Sequence, residues 1–282
     1  GMGSEPLPKV LAAAQAFGCE TIELNGRPTI HQGLWQGDVD HAEVMASIAA
    51  AGLRVTSLGG YCDFAVLTED ELQEQVDQLY SYCELARTLG VPVVRAFVGD
   101  VKEGHTAPEF YPWVVRGFAA VCERIAGWDL QIAIENHGRL MNDGDVIGRI
   151  LTDVGSIQLG VTLDTGNFCW AGHSIEDTQR FIDALLPRIY SVHVKDLNLV
   201  DGQVDLVPAG RGEIDLKGLL ATLADRARAI GGGPVRVDYV NDWRAQGERP
   251  APGPEVCPVC GKLRPTVQVE YTHDWRGLGG ER

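Results

Sequence analysis

The sequence predicts an α/β fold, a (β/α)₈ barrel atypical at both termini, with residues 1–282 as a single domain. Three observations predict it. Strand-like and helix-like segments alternate with short links, which implies a parallel sheet with helices outside it. Four strand-like runs end on a carboxylate or a histidine: LQIAIENH (130–137), LGVTLDTGN (159–167), IYSVHVKD (189–196) and VQVEYTHD (267–274). A buried parallel strand tolerates such groups only at its mouth, so four of them imply one shared polar site. Finally, 282 residues suit one barrel, and no strand-like run leads into a GxGxxG turn, which argues against a doubly wound sheet.

The elements follow in order. Val10, Leu11, Ala14 and Phe17 have helical spacing within an opening helix at 7–18. CETIELNG (19–26) is a strand, 41–51 a helix and LRVTSLGG (53–60) the next strand. The long amphipathic run 68–90 opens on Thr68 with Glu71 three residues later, a capping box, and stops at Gly90. VPVVRAFVG (91–99) is a strand and 111–126 a helix, and the pivotal strand LQIAIENH comes next. A helix at 146–154, the strand LGVTLD, a helix at 175–186, the strand IYSVHV and a helix at 216–230 complete the alternation.

Both ends are irregular. The chain opens on a helix where a barrel opens on a strand, and no helix follows the last strand. VRVDYVNDWR (235–244) and VQVEYTHDWR (267–276) agree at six of ten positions, and counting both gives eight strands. One copy is expected to fill the missing strand position, with a surface hairpin at 235–240 as the alternative.

Residues 241–266, between the copies, are rich in Pro and Gly and read as an inserted loop. The loop carries Cys257-Pro-Val-Cys260-Gly, half of a zinc-ribbon pattern. A full zinc site needs two more ligands and no second CxxC exists. A reducible thiol pair is the simpler reading; a separate zinc at Cys257 and Cys260, completed by distant ligands or another subunit, is the alternative.

Composition excludes several function classes. Nothing approaches about eighteen uninterrupted apolar residues, so no membrane span is expected. With 24 Lys+Arg against 39 Asp+Glu, the formal charge of −15 repels polyanions, and no dense basic run offsets it. A small molecule is the expected partner, and no nucleic acid. Five isolated cysteines, Cys19, Cys62, Cys83, Cys122 and Cys169, fit reduced, buried thiols and a cytoplasmic location. A homodimer is the expected way to cover the surface that the irregular ends leave bare.

In a parallel barrel the active site lies at the carboxyl ends of the strands, which selects Glu135, Asp164, His193 and Glu270. Three carboxylates and an imidazole converging without basic neighbours would repel one another, and a divalent cation removes the conflict. Such a donor set suits Mn, Mg, Co or Zn. By strand periodicity His137 shares the face of Glu135 and is a candidate substrate or supporting ligand. Trp170, just past the Asp164 strand, is placed to stack on a ligand or to pack in the core. Lys195 and Asp196 are placed to orient His193 or to form a salt bridge at the mouth.

IAIENHG, GVTLDTGNF, VHVKD, PAGRGEID and a final VEYT, in this order, resemble the motif series of the sugar phosphate isomerase/epimerase family. That family lies within the xylose isomerase-like barrels, which also include enzymes of the endonuclease IV type (AP endonuclease family 2). The resemblance implies Glu135, Asp164, His193 and a last-strand glutamate as metal ligands. Glu270 is taken for the last, with Asp238 in GGGPVRVD as its competitor. It further implies substrate contacts for Asn167, which stands where many relatives carry histidine, and for Arg211; His137 and Lys195 join them as substrate-binding candidates by their position. Asn can bond a substrate hydroxyl but cannot shuttle a proton.

The expected activity is that of an aldose–ketose isomerase or ketose epimerase, in which Glu135 and Glu270 exchange a proton next to a carbonyl. The alternatives are a metal-dependent hydrolase of the endonuclease IV type and an inosose-type dehydratase. A non-catalytic barrel serving the CPVC loop is a third possibility.

Overall fold

The computed structural model describes residues 5–26, 39–229 and 238–239. Six strands line up in chain order as parallel neighbours: β1 (Thr21–Asn25), β2 (Arg54–Tyr61), β3 (Val93–Phe97), β4 (Gln131–Glu135), β5 (Leu159–Asp164) and β6 (Ile189–Val194). They curl into a half-barrel, consistent with the expected (β/α)₈ barrel. Helix α1 (Leu7–Ala16) precedes β1, and between the strands lie α2 (His41–Ala50), α3 (Glu69–Leu89), α4 (Ala107–Arg124), α5 (Gly144–Val154), the short α6 (Asn167–Trp170) and α7 (Ile175–Leu185).

Local chemistry sets the boundaries. Thr68 Oγ1 accepts the Glu71 N–H while Glu71 reaches back to the Thr68 N–H, so the expected capping box opens α3. A second box, Thr106 with Glu109, starts α4 at Ala107, four residues before the apolar periodicity becomes visible. Between sheet and helices lies one apolar layer in which Phe64, Phe110, Phe118, Phe168 and Phe181 are fully buried. Each such side chain contributes roughly 2–3 kcal/mol of burial, and Phe64 meets Phe118 edge-on at 5.1 Å. The cysteines at 19, 62, 83, 122 and 169 are free and buried, as expected.

One feature departs from the sequence reading, and another bears on an alternative it left open. After β6 the chain forms an antiparallel hairpin, β7 (Asp196–Val200) with β8 (Gln203–Val207), before entering α8 (Leu216–Ala229). Its signal was present as an Asp201-Gly202 turn flanked by alternating apolar residues, LNLVDGQVDLV. The other concerns the first near-repeat. Asp238–Tyr239 forms β9, parallel to β6, with Asp238 paired to His193. Those two residues therefore extend the parallel sheet beyond β6, which favours a strand over a surface hairpin at that point. Glu270, Cys257, Cys260, the 241–266 loop and the second copy of the repeat lie outside the described residues.

Candidate active site

Strand alternation assembles the site in two layers. The deeper layer holds Glu23 on β1, Gly59 on β2, Arg95 on β3, Glu135 on β4 and His193 on β6. One step towards the carboxyl ends come Asn25, Tyr61, Phe97, His137 and Lys195. A register shift between Ile22 and Glu23 adjusts β1 at the point where its carboxylate enters the interior.

Arg95 lies at the centre of the deeper layer, only 5% exposed. Its Nε donates to Glu23 Oε1 at 2.8 Å and its Nη1 to Glu135 Oε2 at 2.6 Å. The guanidinium passes over Gly59, where a Cβ would stand 2.7 Å from Nη2, so a larger residue there would have to push it aside. The imidazole of His193 lies between the same carboxylates, with Nδ1 3.3 Å from Glu135 Oε1 and Nε2 3.6 Å from Glu23 Oε2. Ser57 Oγ donates to Glu23 Oε2 at 2.6 Å. Burial pushes the Glu23 carboxyl up, but Arg95, His193 and Ser57 outweigh it and hold the group at about 2. In Glu135 burial likewise acts upward, and Arg95 and His193 hold it well below the usual carboxylate range.

Asp164, on β5, is set by the asparagine inside the ENH motif. Asn136 Oδ1 accepts the Asp164 N–H at 2.6 Å and Asn136 Nδ2 donates to the Asp164 carbonyl at 2.9 Å, which ties the ends of β4 and β5 together. Lys195 Nζ then lies 2.8 Å from Asp164 Oδ2, donates to Asn167 Oδ1 at 3.0 Å and sits 5.3 Å from the centre of the Trp170 ring. Asn167 Nδ2 donates to the Asn136 carbonyl at 2.9 Å. Asn167, at the start of α6, therefore orients Lys195. Trp170, 36% exposed, projects from the mouth and does not belong to the core.

The expectation of an acidic cluster without basic neighbours is overturned. Glu23, Glu135 and Asp164 face Arg95 and Lys195 directly, so repulsion alone does not call for a metal. Neither Glu23 nor Arg95 was singled out from the sequence. Their signal was a charged residue inside each of two apolar strands, TIELN and VVRAF.

The expected ligands Glu135, Asp164 and His193 do converge. One ligand atom from each lies within 4.8 Å of the other two, and all three residues are buried. Ligand atoms around one octahedral ion are roughly 3–4 Å apart, so small side-chain adjustments would let these residues hold a divalent cation. His137 is half-buried against Phe97, ring centres 4.7 Å apart, and its Nδ1 has no hydrogen-bond partner among the described residues. Burial lowers its pKa; Glu135 opposes the shift and Lys195 reinforces it. Phe97 continues to Tyr61 at 5.9 Å, so a row of rings lies beside the polar cluster. Arg211 is exposed on the loop between β8 and α8, outside the buried cluster. Asp196 makes neither of the expected contacts, because its carboxylate points into that same loop.

Consecutive parallel strands bearing carboxylates and an imidazole at their carboxyl ends define a barrel with its polar site at the mouth. A family model described as xylose isomerase-like TIM barrel matches residues 11–243, and the chain belongs to that family. Solved structures of similar fold include the IolI protein with a bound zinc atom, at TM-score 0.66 and 21% identity over 84% of each chain. A D-tagatose 3-epimerase-like protein matches at TM-score 0.64 and 19% identity, over 83% of this chain and 86% of that one. The probable 3-DHS dehydratase AsbF of Bacillus anthracis matches at 0.62 and 19%, again over 83% and 86%. A search of curated proteins finds no significant sequence match.

Proposed function

We propose that the protein is a divalent-metal-dependent sugar or sugar phosphate isomerase or epimerase that moves a proton next to a carbonyl. The convergence of Glu135, Asp164 and His193 within 4.8 Å at the ends of three successive strands carries this reading. Those three residues, with Glu270 as fourth, would hold the ion, which as a Lewis acid would polarise the substrate carbonyl and acidify the adjoining C–H.

The chain's own groups do the rest. Glu135 and Glu270 take and return the proton, from opposite faces for epimerisation or at the neighbouring carbon for isomerisation. Arg95 keeps Glu135 ionised and aimed. Lys195, held by Asp164 and Asn167, presents an ammonium to substrate oxygens. His137 offers its unpartnered nitrogen to a hydroxyl, and Arg211 reaches substrate from the rim. The acidic balance of the chain favours a small substrate over a nucleic acid, and the free, buried cysteines support a cytoplasmic setting. Among the described residues no helix is long and apolar enough to cross a membrane.

Dehydration is the second reading, favoured by one observation: Lys195 is a proton donor poised beside the acidic cluster, as elimination of a hydroxyl requires. Both reactions begin by breaking the same C–H bond. In heavy water, with manganese and a panel of ketoses and inososes, deuterium wash-in without loss of water supports isomerisation or epimerisation. An absorbing enone product supports dehydration. No exchange with any substrate contradicts both.

A further inference from the structure

Between β6 and α8 the chain leaves the barrel wall for the hairpin β7–β8 and a glycine-rich loop, PAGRGEID (208–215). Asp196 sits where these parts meet and is 2% exposed. Its Oδ2 accepts the N–H groups of Gly210 and Gly212, each at 2.8 Å. Its Oδ1 accepts those of Leu197 at 3.0 Å and Ile214 at 3.4 Å. Gly212 is matched to this carboxylate, since a Cβ there would stand 2.2 Å from Oδ1 and 2.5 Å from the Leu197 carbonyl. The Glu213 N–H donates to that same carbonyl at 2.9 Å, and the Arg211 N–H donates to Pro208 at 3.0 Å.

The amides on both sides of Arg211 therefore end on one carboxylate oxygen, while the Arg211 side chain stays in solvent. Fixing a residue's backbone costs about 1–2 kcal/mol in lost conformational entropy. Most of this loop has no apolar anchor to offset that cost; Ile214, at its end, is the buried apolar side chain. Three N–H donors of the loop, those of Gly210, Gly212 and Ile214, end on the buried carboxylate and supply the missing order. The latch residue directly follows Lys195, whose ammonium contacts Asp164 of the candidate site, so the loop is tied to the same end of β6.

We infer that Asp196 is a positioning residue: its carboxylate latches the 208–214 loop and so fixes the place from which Arg211 meets oxygens or an anionic group of the substrate. The consequence for substrate rests on the function proposed above; the latch itself does not. Asparagine is a poor replacement, because its NH₂ would face two of the N–H donors.

Amide hydrogen exchange on the wild-type protein, with no ligand added, tests the latch directly. Gly210 and Gly212 should exchange at least about tenfold more slowly than Gly202 in the exposed hairpin turn. Tryptic cleavage after Arg211 should accelerate about tenfold in Asp196→Asn and in Gly212→Ala. It should not change in Asp205→Asn, which alters an exposed carboxylate on the same hairpin. With a ketose that turns over, Asp196→Asn should raise KM about tenfold and keep kcat within about twofold. Fast exchange of the two glycine amides in the wild type overturns the latch, as does cleavage of Asp196→Asn no faster than Asp205→Asn. A fall in kcat with KM unchanged overturns the positioning role. Slow exchange and the expected cleavage pattern, with no ketose turned over, support the latch and count against the proposed reaction alone.

Discussion

Arg95 makes three otherwise unfavourable burials compatible. A guanidinium at 5% exposure is stable because Glu23 and Glu135 flank it, and each carboxylate is stable because Arg95 and His193 flank it in turn. Glu23→Gln should destabilise the fold by about 3 kcal/mol in urea titration, since it removes one partner of a buried pair. The pH dependence has a definite sign. Glu23 falls from 4.5 to about 2 on folding, so its contribution is fully present above pH 4.5 and disappears as pH falls through 2. Thermal melts of the wild type between those limits should show steadily lower stability with acid, and Glu23→Gln should show a shallower slope. Equal slopes would contradict the ionised pair.

At the scale of the element, helix ends were readable because they depend on neighbours a few residues apart. The Thr68–Glu71 box fixes the start of α3, and Thr68→Ala should cost about 1 kcal/mol in the same titration. A result within experimental scatter of zero would show that packing alone sets that boundary. The second box, at Thr106, is equally local, but the apolar periodicity of α4 becomes marked only from Tyr111, so periodicity alone places the start too late. The β7–β8 hairpin escaped for a related reason, since a strict βα alternation leaves no slot for an antiparallel excursion. Its role becomes visible only when Asp196 is seen gathering amides fourteen to eighteen residues further along the chain.

For the whole molecule, strand-end chemistry identified one side of the site and missed the other. Glu135, Asp164 and His193 could be found because each closes an apolar strand with a polar residue, and the parallel barrel brings such ends together. Glu23 and Arg95 lie inside their strands, where a charge makes sense only once its partners are known. Those partners are 72 and 40 residues away from Arg95 in sequence. The same pairing explains how a chain of charge −15 tolerates an acidic centre, because the interior carries its own cations.

Crystals grown with manganese, with diffraction recorded for its anomalous signal, decide whether Glu135, Asp164 and His193 form a metal centre. One peak is expected within about 2–2.5 Å of ligand atoms from Glu135, Asp164 and His193 together. A peak elsewhere, with Arg95 still spanning Glu23 and Glu135 and Lys195 still on Asp164, would contradict it.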